Sequence, residues 1–269
     1  MTRTGLPDAG RPRAARPSGA LLFARYAYPP NELGYCGPDR SRQILEQAAT
    51  GTDDAELRGL LRGFEGAWPY LELIAGAAGL DDPLDPRVVE AYWVGNTLLE
   101  RVGIAPIGRS LEQRFRPRVT SRDWADLAAL VPAGAVPHHS LHVFGVYPWV
   151  GLLRAGRVDQ PLHVLDRCRI RWGQVVDVLG STALVRSEPL VWDGRALRLG
   201  PPGIEEVRVG GDGGALVEDL SAGQWCALHW DWVCDRLDPT RLAALRHWSG
   251  RTLDLVNSLP HPAPAAVLG

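Results

Sequence analysis

Four cysteines and seven histidines hold most of the reactive chemistry available to this 269-residue sequence. Cys36 lies in the run Tyr28-Pro29-Pro30-Asn31-Glu32-Leu33-Gly34-Tyr35-Cys36-Gly37-Pro38. Pro and Gly forbid regular structure there, and a loop of that kind can present a thiol as a nucleophile. Catalysis by Cys36, with His139 or His142 as its base, is therefore one expectation. His138 and His142 are four apart, so on a helix they share a face and could offer a metal two ligands, while His139 points elsewhere. Cys226, His229 and Cys234 have the donor types of a zinc cluster. In a strand, however, residues 226 and 229 face opposite sides of the sheet, which disfavours a joint site. Asn31, Glu32 and Asn96 need no more than capping or a buried hydrogen bond to explain them.

Composition removes several function classes. A net charge of −2 suits neither a nucleic-acid surface nor an anionic membrane. With 45% hydrophobic and 22% charged residues, the chain has the make-up of a soluble globular protein. Every basic residue apart from histidine is Arg, a compositional bias and not a chemistry. No stretch approaches the roughly 20 apolar residues of a membrane span. Arg3, Arg11, Arg13 and Arg16 stand among Pro and Gly with no apolar signal core behind them, so residues 1–19 read as a disordered tail. Four cysteines without framework spacing fit a reducing compartment, and the expected location is cytoplasmic. Ten Trp against four Phe hint at interfaces, with core packing the default for most of them.

The elements that must position these residues change character near residue 165. Before it the period is helical. Asp85-Pro86 is a strong start, followed by an apolar stripe through Val88, Val89, Tyr92, Trp93 and Leu99, with Gly103 as C-cap. Similar segments run over about 41–50, 54–64, 68–78 and 121–131, the last capped by Ser121. A nearly all-apolar helix over about 138–154 ends at Gly156. After residue 165 the period falls to two. Strands are expected over 169–178, 183–191, 195–199, 204–209 and 227–233, with Asp193-Gly194 as a hairpin turn. About five short strands suffice for a small closed barrel, and Asp238-Pro239 opens a final helix.

Within that second half three pieces occur in a telling order. Cys168-Arg169-Ile170-Arg171-Trp172-Gly173-Gln174-Val175 opens it, Gly223-Gln224-Trp225-Cys226-Ala227-Leu228-His229 forms a later strand, and a helix over 238–257 closes it. In this order residues 166–258 resemble a hydrogenase-assembly chaperone of the HypC/HupF type. Trp172 stands where that family has Pro, Trp230-Asp231-Trp232 replaces its Gly-Phe-Ala, and Cys168 is internal instead of N-terminal. The resemblance implies a short OB-like barrel and a carrier for iron bearing cyanide and carbon monoxide ligands. It implies Cys168 and His229 as metal ligands, a soft thiolate with an imidazole. Arg167 and Arg169 beside Cys168 are expected to lower its pKa.

The expected class is α+β: an all-α domain over 20–160, then an OB-like β-barrel with a C-terminal helix over 165–260. The expected function is an accessory role in [NiFe]-hydrogenase maturation, with iron as a transient cofactor. The hydrogenase large subunit and a HypD-type maturation protein are the implied partners, with no nucleic acid and no membrane. Two alternatives stand beside it: an enzyme that makes or transfers a small ligand through Cys36 or the His138/His142 face, and a metal-free interaction module. The connector over about 157–166 looks packed, which favours one composite site at the domain boundary.

Overall fold

The computed structural model describes residues 16–259. The tail expected over 1–19 therefore lies, up to residue 15, outside the described residues. Its end does not fit that expectation, because Ser18 is the N-cap of the first helix.

The chain is a mixed α/β protein, with helices first, then a sheet region and a closing helix. The helical part comprises α1 (Gly19–Glu32), α2 (Ser41–Thr50), α3 (Ala55–Arg62), α4 (Trp68–Ala78), α5 (Pro86–Trp93) and α6 (Ile104–Phe115). It continues through α7 (Ser121–Ala129), α8 (His139–Leu141), α9 (Trp149–Arg154) and α10 (Asp159–Cys168). Ser18, Asp54, Asp85 and Thr120 each accept a first-turn backbone N–H through a side-chain oxygen, which fixes four of the starts. No helix among the described residues is long and apolar enough to cross a membrane.

The sheet region comprises β1 (Arg171–Leu179), β2 (Thr182–Ser187), β3 (Leu190–Trp192), β4 (Leu197–Leu199), β5 (Gly203–Arg208), β6 (Gly210–Gly211), β7 (Gly214–Ala215), β8 (Trp225–His229) and β9 (Trp232–Leu237). Helix α11 (Pro239–Ser258) follows. Five strands pair in the closed order β1-β2-β5-β9-β8, with β8 returning to β1. All these pairs are antiparallel except β5 with β9. The β3–β4 hairpin turns at Asp193-Gly194 as expected, where Asp193 accepts from the amides of Arg195 and Ala196.

Several expected elements differ from those observed, and the strand expected over 183–191 divides into β2 and β3, which lie in different sheets. Helix α1 runs through Pro29 and Pro30 into its last turn although their missing amides leave carbonyls one turn back without helical partners; the Tyr26 carbonyl is taken by His229, and Tyr26, Tyr28, Pro29 and Pro30 are all buried. Helix α5 stops at Trp93 instead of reaching Gly103. Gly95 takes a φ of +98°, and a Cβ there would lie 2.1 Å from the Trp248 ring. The apolar stretch over 138–154 breaks into α8, a π-helical turn over His142–Val146, and α9. The run over 227–233 is two strands, since Trp230 adopts a φ of +52° and its carbonyl accepts from the Arg171 guanidinium.

Helix and strand regions share one hydrophobic cluster that includes Phe23, Trp93, Leu141, Cys226 and Trp232. Tyr28 packs edge-on against Trp232 at 5.2 Å, and the Trp232 indole donates to Glu32 at 3.0 Å. Helix α1 thus lies directly on β9, the strand paired with β8, which ends in His229.

Candidate metal centre

Three elements bring His139, Cys168 and His229 together. His139 opens α8, one residue after His138, whose ring Nδ1 accepts from the Ser140 amide and so caps the turn. Cys168 is the last residue of α10, not the opening of a strand as its sequence suggested. His229 ends β8, immediately before the tight turn at Trp230. One donor atom from each of the three lies within 4.8 Å of the other two, the only such group found among the described residues.

The hydrogen bonds fix which ring nitrogens are free. His229 Nδ1 lies 2.6 Å from the Tyr26 carbonyl oxygen. A carbonyl only accepts, so Nδ1 carries the proton and Nε2 the lone pair. That carbonyl is available because its helical partner would be the amide of residue 30, and Pro30 has none. His229 is fully buried and its Nε2 has no hydrogen-bond partner. Leaving such a group unsatisfied costs about 1–3 kcal/mol, so the orphan atom itself points to a ligand. His139 Nε2 donates to the Cys168 carbonyl at 2.8 Å, and its Nδ1 lies 3.3 Å from the Tyr92 hydroxyl. The two imidazoles meet edge to face with centroids 5.2 Å apart.

Burial sets the charges. It pushes the His139 ring down to about 4, and holds His229 well below the usual imidazole range with help from neighbouring His139. Both rings are therefore neutral near pH 7, as metal ligands must be. The Cys168 thiol is pushed far up, first by burial and then by Cys36. The expected lowering by Arg167 and Arg169 does not occur, because both are spent elsewhere. Arg167 pairs with Glu205 at 2.6 Å, and Arg169 pairs with Asp166 at 3.0 Å. A cation held there would supply the missing positive charge and favour the thiolate.

The three donors face a cavity of about 60 Å³, walled largely by Pro30, Phe64, Tyr92, Trp93, Tyr147 and Trp230. Cys36 and His142 also line it. Burial pushes the Cys36 thiol up to about 12, the opposite of an activated nucleophile. His142 is 6% exposed and its Nδ1 has no partner. His138 does not share its place: capping occupies its Nδ1, and of the expected His138/His142 pair only His142 reaches the cavity. His139, expected to point elsewhere, supplies the third donor. Cys226 and Cys234 take no part, their thiols lying against the carbonyls of Gly173 and Trp232.

Two imidazoles and one thiolate make a donor set suited to a borderline or soft transition-metal ion, with a fourth position left for a further ligand. A family model described as a family of unknown function (DUF6390) matches residues 15–263. No curated protein and no solved structure matches the chain.

Proposed function

This chain belongs to the DUF6390 family, and we propose that it is a metal-handling accessory protein acting in the maturation of [NiFe]-hydrogenase. The observation that carries the metal reading is the unpartnered Nε2 of His229 facing a buried cavity beside Cys168 and His139. The hydrogenase reading is supported by the HypC-like order of residues 166–258, in which Cys168 and His229 are the matched pair. The closed pairing of five strands and the helix behind them support an OB-like barrel.

The cargo is an iron carrying cyanide and carbonyl ligands. Cys168 binds it as a thiolate, and His229 and His139 add imidazole nitrogens. The Tyr26 carbonyl keeps His229 in the tautomer that binds, and the Cys168 carbonyl does the same for His139 by holding its Nε2 proton, so that Nδ1 binds in place of its 3.3 Å contact with the Tyr92 hydroxyl. A void of about 60 Å³ holds an ion with a few diatomic ligands, since about 10–15 Å³ suffices for one water. Its aromatic walls keep water from those ligands. The protein donors leave a position open, so a hydrogenase large subunit or a HypD-type partner can complete the exchange.

The test is isolation of the chain, without air, from cells assembling a [NiFe]-hydrogenase. Stoichiometric iron with cyanide and carbonyl infrared bands is expected, and both vanish in Cys168→Ala. A chain that carries zinc and shows no such bands contradicts the hydrogenase reading.

A further inference from the structure

Outside the cavity lies an open groove of about 1220 Å³ between the Cys36 loop, the start of α4 and the end of α6. Arg62, Arg114 and Arg118 line it together with Asp39 and Glu65. Five residues line both spaces: Tyr35, Cys36, Gly66, His142 and Tyr147. They form the partition between the groove and the buried donors, and two of them carry metal-binding atoms.

We propose that Cys36 and His142 are an outer donor pair that passes a thiophilic transition-metal ion between this groove and the buried His139/Cys168/His229 set. The inference rests on the reading of that set as a metal centre. Three features support it. His142 is nearly buried, and its Nδ1 finds no partner in the protein. The partition is built around its ring, since a Cβ on Gly66 would sit 2.9 Å from His142 Nε2. The Cys36 loop is held in place, because the Asn31 amide donates to the carbonyls of Cys36 at 2.7 Å and Pro38 at 2.8 Å. Tyr35 stacks on Trp230 at 4.5 Å and ties the same loop to the turn after His229.

A bare ion crossing this partition would shed its water against Tyr147 and Phe64, at a large desolvation cost. A chain of donors removes that cost by exchanging one ligand at a time. Cys36 and His142 lie outside the group of donors within 4.8 Å, so transfer is sequential. The Cys36 thiol gives its proton to solvent as it takes the ion and regains one as it passes the ion on. The pair therefore changes rates and leaves the equilibrium unchanged.

Stopped-flow absorption of thiolate-bound Co(II) in the reduced full-length chain reads this directly. Uptake and chelator-driven release are compared for the natural protein, Cys36→Ser and His142→Asn. Both variants are expected to slow uptake and release by about tenfold, with the equilibrium constant kept within about threefold. Cys36→Ser lies in a half-buried loop and carries the test alone if His142→Asn does not fold. Unchanged rates overturn the inference, as does an affinity loss as large as the rate effect, which would make these ordinary ligands. A natural protein that takes up no cobalt overturns the metal centre itself, and this inference with it.

Discussion

His229 Nδ1 donates to the carbonyl oxygen of Tyr26 at 2.6 Å, joining the end of β8 to the middle of α1. The bond exists because Pro30, one helical turn on, has no N–H to claim that carbonyl. A buried proline that looks like a fault in the helix thereby fixes the tautomer of a proposed metal ligand. Pro30→Ala restores a competing donor. Metal affinity is expected to fall by about 10–100-fold, the usual loss when an outer partner of a ligating histidine is disturbed. Stability is expected to hold or rise, because Ala suits a helix better than Pro. Cobalt titration and thermal unfolding of the one variant separate the two effects.

Proton release on binding follows from burial. His139 titrates near 4 and His229 well below the ordinary imidazole range, so both bind from their neutral forms near pH 7. The Cys168 thiol, pushed up by burial, is the group that must ionise. Affinity is expected to rise about tenfold per pH unit between roughly pH 6 and 8, with one proton released. Calorimetry in buffers of different ionisation enthalpy counts that proton, and a count of two would bring a second thiol into the resting site.

The metal-free protein is expected to be acid-sensitive. Burial lowers His138 to about 3 and His139 to about 4, and it lowers His142 and His229 as well. In the unfolded chain all four titrate near 6.5. Above about pH 6.5 neither state holds these protons and stability is flat. Below it the unfolded chain takes up protons that the native state refuses, so stability falls as pH drops toward 4. Denaturant midpoints at pH 7 and pH 5 measure the slope. A chain more stable at pH 5 would show that these rings are not buried neutral.

Arg171 is 1% exposed, and its guanidinium binds both Glu205 and the carbonyl of Trp230. It holds the turn that follows His229. Arg171→Met is expected to cost about 3 kcal/mol, as when one partner of a buried ion pair is removed. It should weaken metal binding more than a change of similar cost away from the site. Urea unfolding and cobalt titration on one preparation check both statements.

The sequence made the capped helices and the Asp193-Gly194 hairpin legible because each rests on a local cue. It also placed Cys168 and His229 as a pair through their resemblance to a known order of motifs. His139 was hidden because an ideal helix over 138–154 turns it away from His142. The real chain caps at His138 and then winds as a π turn, which re-aims the rings. A hint was present in Pro148, which lies inside the stretch and disfavours one unbroken helix. The packed connector over about 157–166 favoured a composite site that brings Cys168 to the Cys36 loop or the His138/His142 face, and Cys168, Cys36 and His142 do line one cavity.

X-ray absorption at the metal edge of the loaded, reduced chain tests the central claim most directly. With zinc loaded in vitro as a probe in place of the iron cargo, one sulfur near about 2.3 Å and two imidazole nitrogens near about 2.0–2.1 Å are expected. The sulfur should vanish in Cys168→Ala and one nitrogen in His139→Ala. A shell without sulfur, or one untouched by His139→Ala, would contradict a metal centre built from helix and strand together.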